Sequence, residues 1–175
     1  MYTDEVYDLN ADNVFDTMHC ADKYDLACLV RICVEKIVSV LDVENCLAVL
    51  EQVAQWQGTT DPVREACLHV LDEKTEEVLR SEHFISISQD TLRTILQRDT
   101  LSAGENDIYL AAERWAVEAC KRNNMEPSAA NRRQMLGDAL FLVRFPLLTA
   151  AQLADAPAAS GLLTEAESSC SGVPL

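Results

Sequence analysis

The stretch Leu26-Ala-Cys-Leu-Val-Arg-Ile-Cys-Val-Glu-Lys-Ile-Val-Ser-Val-Leu41 decides the fold. Its apolar residues Leu26, Leu29, Val30, Cys33, Val34, Ile37, Val38 and Leu41 recur at spacings of three and four. That is the repeat of one helix face, not of a strand. Arg31, Glu35 and Lys36 take the other side. Asp25 is predicted to cap this helix, its carboxylate accepting the free amides of the first turn.

The same pattern runs downstream. Asp42 caps a second helix carrying Val43, Cys46, Leu47, Leu50, Val53 and Ala54, and Gly58 supplies its stop. Asp61-Pro62 restarts the chain, with proline where its missing amide costs nothing. Val63, Ala66, Cys67, Val70 and Leu71 carry the third stripe, continuing towards Val78 and Leu79. His83-Phe-Ile-Ser-Ile-Ser88 alternates like a strand, but it is short and isolated, and we read a connector. Ser88 then caps a helix with Leu92, Ile95 and Leu96.

Ser102 and Glu105 have capping-box spacing before Ile108, Ala111, Ala112, Trp115, Ala119 and Cys120. That helix ends near Asn123-Asn124. Pro127-Ser128 opens another, with Met135, Leu136, Ala139, Leu140 and Val143 inward, which Phe145-Pro146 stops. Thr149 with Gln152, and Thr164 with Glu167, offer two more capping boxes. The prediction is an all-α fold of six to nine helices. Short connections make neighbours antiparallel, giving stacked helical hairpins. Residues 166–175 have no stripe and read as a disordered tail.

Composition agrees and narrows the function. At 49% hydrophobic, the 175 residues can build a core, and 5 Gly with 5 Pro are too few for an all-β chain. The net charge of -15 repels phosphate backbones and anionic lipid, so neither nucleic acid nor membrane is an expected partner. Asp4, Glu5, Asp8, Asp12, Asp16, Asp22 and Asp25 crowd the start, as a solvated face or as a surface selecting a basic partner. Met1-Tyr-Thr-Asp-Glu5 has no basic or apolar leader pattern. The seven cysteines show no C-x-x-C spacing and fit buried free thiols in a reducing compartment, cytosol or nucleus.

No constellation supports chemistry. His19 adjoins Cys20 and His69 lies two residues from Cys67, spacings that put each pair on different helix sides. No nucleophile elbow, phosphate loop or dinucleotide fingerprint occurs. We expect no catalytic residue, no metal, no cofactor and no small-molecule substrate. Trp115 is in register with its stripe and reads as core. Trp56 lies off the stripe near Gly58, either a packing cap or an exposed anchor for a protein partner. Lys121-Arg122 and Arg132-Arg133 read as charges on solvent faces near helix ends, or as a contact patch for an acidic partner.

The order of short motifs then resembles a known family. Tyr2-Thr-Asp-Glu-Val6, Val14-Phe15, Ala21-Asp-Lys-Tyr24 and Leu29-Val30 with Cys33-Val-Glu35 resemble the closing helices of a BTB/POZ domain. Asn45-Cys-Leu47, Thr75-Glu-Glu-Val-Leu79 with Ser81-Glu82 and Phe84, Leu92 with Ile95-Leu96 and Arg98-Asp99, and Glu105 through Arg114-Trp115 are similar to a BACK domain. Leu140 through Leu148, with Ser160-Gly-Leu-Leu163, resembles the BTB-domain proteins that carry a C-terminal PHR domain. The resemblance implies residues 1–41 as the C-terminal part of BTB/POZ, 42–165 as a BACK-type bundle and 166–175 as the tail. It covers neither the dimerising start of a BTB domain nor a PHR segment.

In that family such chains resemble non-catalytic substrate adaptors of cullin-3 RING ubiquitin ligases, with BACK as a spacer. The resemblance implies cullin-3 and other BTB proteins as partners, and a cullin groove within about residues 29–56. Ile32, Glu35, Ala48, Gln52 and Gln55 lie off the buried stripes and are the cullin-facing candidates, with Trp56 as a further anchor. The alternative is a scaffold module that associates with other BTB proteins without supporting ubiquitylation.

Overall fold

The computed structural model describes residues 9–10, 13–54, 60–153 and 161–162. Their regular elements are all helical, and no strand occurs among the described residues. They pack as two compact units, one up to Val70 and one from Leu71.

The first unit is built from α1 (Val14–Lys23), α2 (Ala27–Ser39), α3 (Cys46–Ala54) and most of α4 (Asp61–Glu73). Val14 and Met18 of α1, Cys33 and Ile37 of α2, Leu50 and Val53 of α3, and Val63, Cys67 and Leu68 of α4 share one core. Asp25 does not cap α2 as the sequence predicted. It has φ +56°, and the amide of Leu26 donates to the carbonyl of Ala21 at 2.8 Å. This is a left-handed residue closing α1, and Leu26 takes the cap position of α2. Asp42 does cap: its Oδ1 accepts from the amides of Glu44 and Asn45, while Asn45 Oδ1 accepts from the amide of Asp42. Helix α4 starts at Asp61 itself, one residue earlier than the Asp61 cap implied, with the Thr60 carbonyl accepting from Arg64. Gly58 lies outside the described residues.

The second unit contains α5 (Thr75–Arg80), α6 (Gln89–Leu96), α7 (Glu105–Arg122), α8 (Ala129–Leu136) and α9 (Ala150–Leu153), with 3-10 turns at Phe84–Ser86, Gly137–Leu142 and Phe145–Leu147. Helix α7 packs against α5, α8 and the first 3-10 turn, while α6 packs against the second. Trp115 is buried, and its indole N–H donates to the Ile87 carbonyl at 2.9 Å. Buried Phe84 and Ile87 come from the His83–Ser88 stretch, confirming a connector. Ser88 and Ser128 cap α6 and α8 through the amides of Thr91 and Asn131. Thr149 and Gln152 form the expected reciprocal box. Asn124, with φ +54°, ends α7 by the same left-handed device as Asp25.

Two sequence expectations fail here. The stripe does continue to Val78 and Leu79 as expected, although the helix breaks at Lys74, just before the buried Thr75. Its hydroxyl, fully buried, donates to the Leu71 carbonyl at 2.8 Å and accepts from the Ser102 amide at 3.0 Å. Ser102 is thereby drawn away from the predicted box, Gly104 holds the cap position of α7, and Glu105 Oε1 accepts from the Arg144 amide instead. The helix opened at Ser128 does not reach Val143. Gly137, at φ +52°, ends it, and the Gln89 side-chain amide donates to the released carbonyls of Met135 and Leu136.

Candidate partner-binding surface

Helix α2 carries a broad apolar stripe that is buried at its centre, half-buried at Val30 and Val34, and exposed at Leu26 and Val38. Cys33 and Ile37 are buried in the core. Leu26 and Val38, which the sequence placed on the same buried stripe, are 51% and 40% exposed. Leu26, Val30 and Val34 line a cleft of about 380 Å³ whose other edge includes Asp22, Asp25 and Pro62. Its lining is mostly apolar and also includes the exposed Asp22, Asp25 and Arg31. Tyr24, 69% exposed, stands beside it in sequence, with the Lys23 ammonium 5.8 Å from its ring centre.

The predicted candidates fall as follows. Glu35, Ala48 and Gln52 are exposed and Ile32 is half-buried. Ile32 and Glu35 share a face of α2 by their spacing of three, and Ala48 and Gln52 share a face of α3 by their spacing of four. The capped Asp42–Asn45 turn joins the two helices. Gln55 and Trp56 lie outside the described residues. Sequence reasoning missed the cleft. The signal for it was present: Leu26, Val30, Val34 and Val38 form a second ridge beside Cys33 and Ile37.

Among the described residues no group of His, Cys, Asp and Glu could hold a metal ion. Burial pushes the Cys33 thiol up, the Cys46 thiol up to about 11 and the Cys67 thiol up to about 12. Buried thiols that stay protonated are poor nucleophiles. Cys120 is also buried, so most of the described thiols are buried as expected, while Cys20 and Cys28 are exposed. Of the basic pairs, Lys121-Arg122 is exposed in the last turn of α7 as expected, while Arg132 and Arg133 are half-buried. Arg122 donates to the Ser86 carbonyl at 2.9 Å, Arg132 pairs with Glu113, and Arg133 donates to the Leu162 carbonyl.

The arrangement is one of packed helices, and comparison with known proteins places it. The family model for BACK, described as BTB And C-terminal Kelch, matches residues 46–157. The chain belongs to the BACK family. It is 38% identical over 94% of its length to BTB/POZ domain-containing protein 6-B of Danio rerio, covering 33% of that protein. To BTB/POZ domain-containing protein 3 of Homo sapiens it is 37% identical, again over 94% of the chain and 31% of the relative. To BTB/POZ domain-containing protein 6 of Homo sapiens it is 35% identical, covering 30% of it. The chain thus spans about a third of the length of these relatives. Membership of this BTB/BACK group points to a protein-interaction or adaptor role. No helix among the described residues is long and apolar enough to cross a membrane.

Proposed function

We propose that this chain is a non-catalytic part of a substrate adaptor for a cullin-3 RING ubiquitin ligase. Helices α2 and α3 present the cullin-facing surface, and the helices from α5 onward act as a spacer. The observation that supports the reading is the exposure of Glu35, Ala48 and Gln52 on α2 and α3, with the cleft at Leu26, Val30 and Val34 as a separate apolar site on α2. An apolar cleft with an acidic rim suits a partner segment that offers an apolar anchor beside a basic side chain. Glu35, Ala48, Gln52 and Ile32 are the contact candidates on the described helices, and Gln55 and Trp56 extend the same segment in sequence. The work is done in the cytosol or nucleus, where exposed thiols such as Cys20 and Cys28 stay reduced.

A second reading draws on the same exposed side chains. Leu26 and Tyr24 would be covered by another BTB protein, and the chain would be a scaffold that supports no ubiquitylation. Co-precipitation of the tagged chain with cullin-3 and with a full-length BTB relative separates the two. The adaptor reading expects cullin-3 recovery that persists when no BTB relative is present. Recovery of the relative alone would leave only the scaffold.

A further inference from the structure

A cleft of about 230 Å³ lies between α5 and α7 in the second unit. Two contacts fix how these helices lie side by side. The Thr75 hydroxyl at the start of α5 accepts from the amide of Ser102, just ahead of α7. The Arg114 guanidinium, midway along α7, donates to the carbonyls of Leu79 and Ser81 at the end of α5. Helix α5 therefore runs in the same direction as the first half of α7.

This parallel course sorts the charges. Glu76 and Asp107, each in the first turn of its helix, lie at one end of the cleft, and Arg80 and Arg114 lie at the other. All four are exposed. Between them the lining is apolar: Leu79 and Ala111 are buried, and Leu110 stands 44% exposed. Glu76 and Arg80 pair within α5 at 3.2 Å, but an ion pair so open to water contributes little and exchanges partners at little cost. Such a cleft fits a helix with an acidic group opposite the arginines, a basic group opposite the carboxylates and an apolar side chain between. Helix α7 itself offers that set on one face. Asp107, Leu110 and Arg114 stand three and four positions apart and span about 10 Å along its axis. Turned end for end, the surface is complementary to itself.

We infer that the α5–α7 face joins two copies of this chain about a two-fold axis at Leu110. Arg80 and Arg114 of each copy face Glu76 and Asp107 of the other, and the two Leu110 side chains meet over the apolar lining. No residue assigned to the cullin surface takes part. The net charge of -15 opposes association at low salt. At about 0.15 M ionic strength that repulsion is screened beyond about 8 Å, and the short-range pairs decide.

Sedimentation velocity of the full chain at about 0.15 M salt, over a concentration series, tests the contact. The unaltered chain should approach twice its monomer mass as concentration rises. Arg80→Glu and Asp107→Arg should each weaken the dimer at least about tenfold, with the helical CD spectrum unchanged because both positions are exposed. Mixed in equal amounts, the two variants should recover it, since the reversed charge of each then meets an opposite one in the other. Leu110→Asp, at the axis, should give a monomer that neither variant rescues. It decides the case should Asp107→Arg disturb the first turn of α7. A monomeric mass at every concentration in the unaltered chain would overturn the proposal. So would a dimer that persists in Leu110→Asp, or one that the charge variants weaken singly and their mixture fails to recover.

Discussion

The guanidinium of Arg98 grips the Asp72 carboxylate with two hydrogen bonds, Nε to Oδ1 at 2.8 Å and Nη2 to Oδ2 at 2.5 Å. The side chains are only 26% and 19% exposed, so water cannot replace either partner freely. This pair ties the end of α4 to the chain leaving α6. Removing one member strands the other charge in a partly dry site. Arg98→Met should therefore lower the stability to urea by about 1–3 kcal/mol. Asp72→Asn should cost a similar amount, and the double variant should cost clearly less than the sum. Additive losses would mean that the two groups do not act as a pair.

Asp25 is a left-handed residue with a Cβ where the chain leaves α1, a position that favours glycine. Asp25→Gly should raise stability by about 0.5–1 kcal/mol. Gly137→Ala should do the reverse. Its φ of +52° disfavours a side chain, and the new Cβ would stand 3.0 Å from the Gln89 amide nitrogen. A loss of about 1–3 kcal/mol is expected, visible as a Tm lower by about 2–4 °C per kcal/mol. Opposite signs at the two sites in a thermal melt check the backbone assignment. A gain at Gly137 would contradict a left-handed backbone there.

The buried thiols make stability depend on alkaline pH. An unfolded cysteine ionises near its ordinary value of 9.0, whereas Cys46 and Cys67 in the folded chain hold their protons up to about 11 and about 12. Above 9 the unfolded state therefore binds fewer protons than the folded one, and stability falls with rising pH. The contribution is fully present below 9 and is lost between 9 and about 11 for Cys46 and about 12 for Cys67. Replacing both by alanine should flatten the decline in urea-unfolding free energy over that window, whatever it does to the baseline. In the native protein at about pH 8, iodoacetamide should label Cys20 and Cys28 at least about tenfold faster than Cys33, Cys46, Cys67 and Cys120. Equal rates would contradict the burial pattern.

Much of this fold was legible in the sequence because helical periodicity is a local signal. The stripes through Leu50 and Val53, Val63 and Cys67, and Ala112 and Trp115 all became core. The caps at Asp42, Ser88, Ser128 and Thr149 formed because each pairs with an amide two or three residues away. What failed was set by residues distant in sequence. Thr75 captures the Ser102 amide, and Gln89 captures the end of α8, so neither local capping nor periodicity could see them. Leu26 and Val38 were misplaced because periodicity shows that a residue is apolar and on a face, but not that anything covers that face. The ridge that borders the cleft could be read from the same residues, but its lack of full cover could not.

Charge reversal probes the proposed surface without touching the core. Glu35→Lys and Ala48→Glu alter exposed positions on α2 and α3 and should leave the helical CD spectrum and Tm nearly unchanged. Each should weaken cullin-3 binding by at least about tenfold, or about 1.4 kcal/mol. Leu26→Asp should weaken it at least as much, by placing a charge in the cleft. Full affinity in all three variants would move the contact elsewhere.

The most direct measurement is isothermal calorimetry of the full chain against the N-terminal domain of cullin-3, with light scattering to fix the mass of each species. The adaptor account predicts saturable binding with a Kd at or below about 10 μM, one cullin per chain, lost in the Leu26→Asp variant. A folded, helical chain that gives no binding heat at several temperatures, and no complex by light scattering, would contradict it.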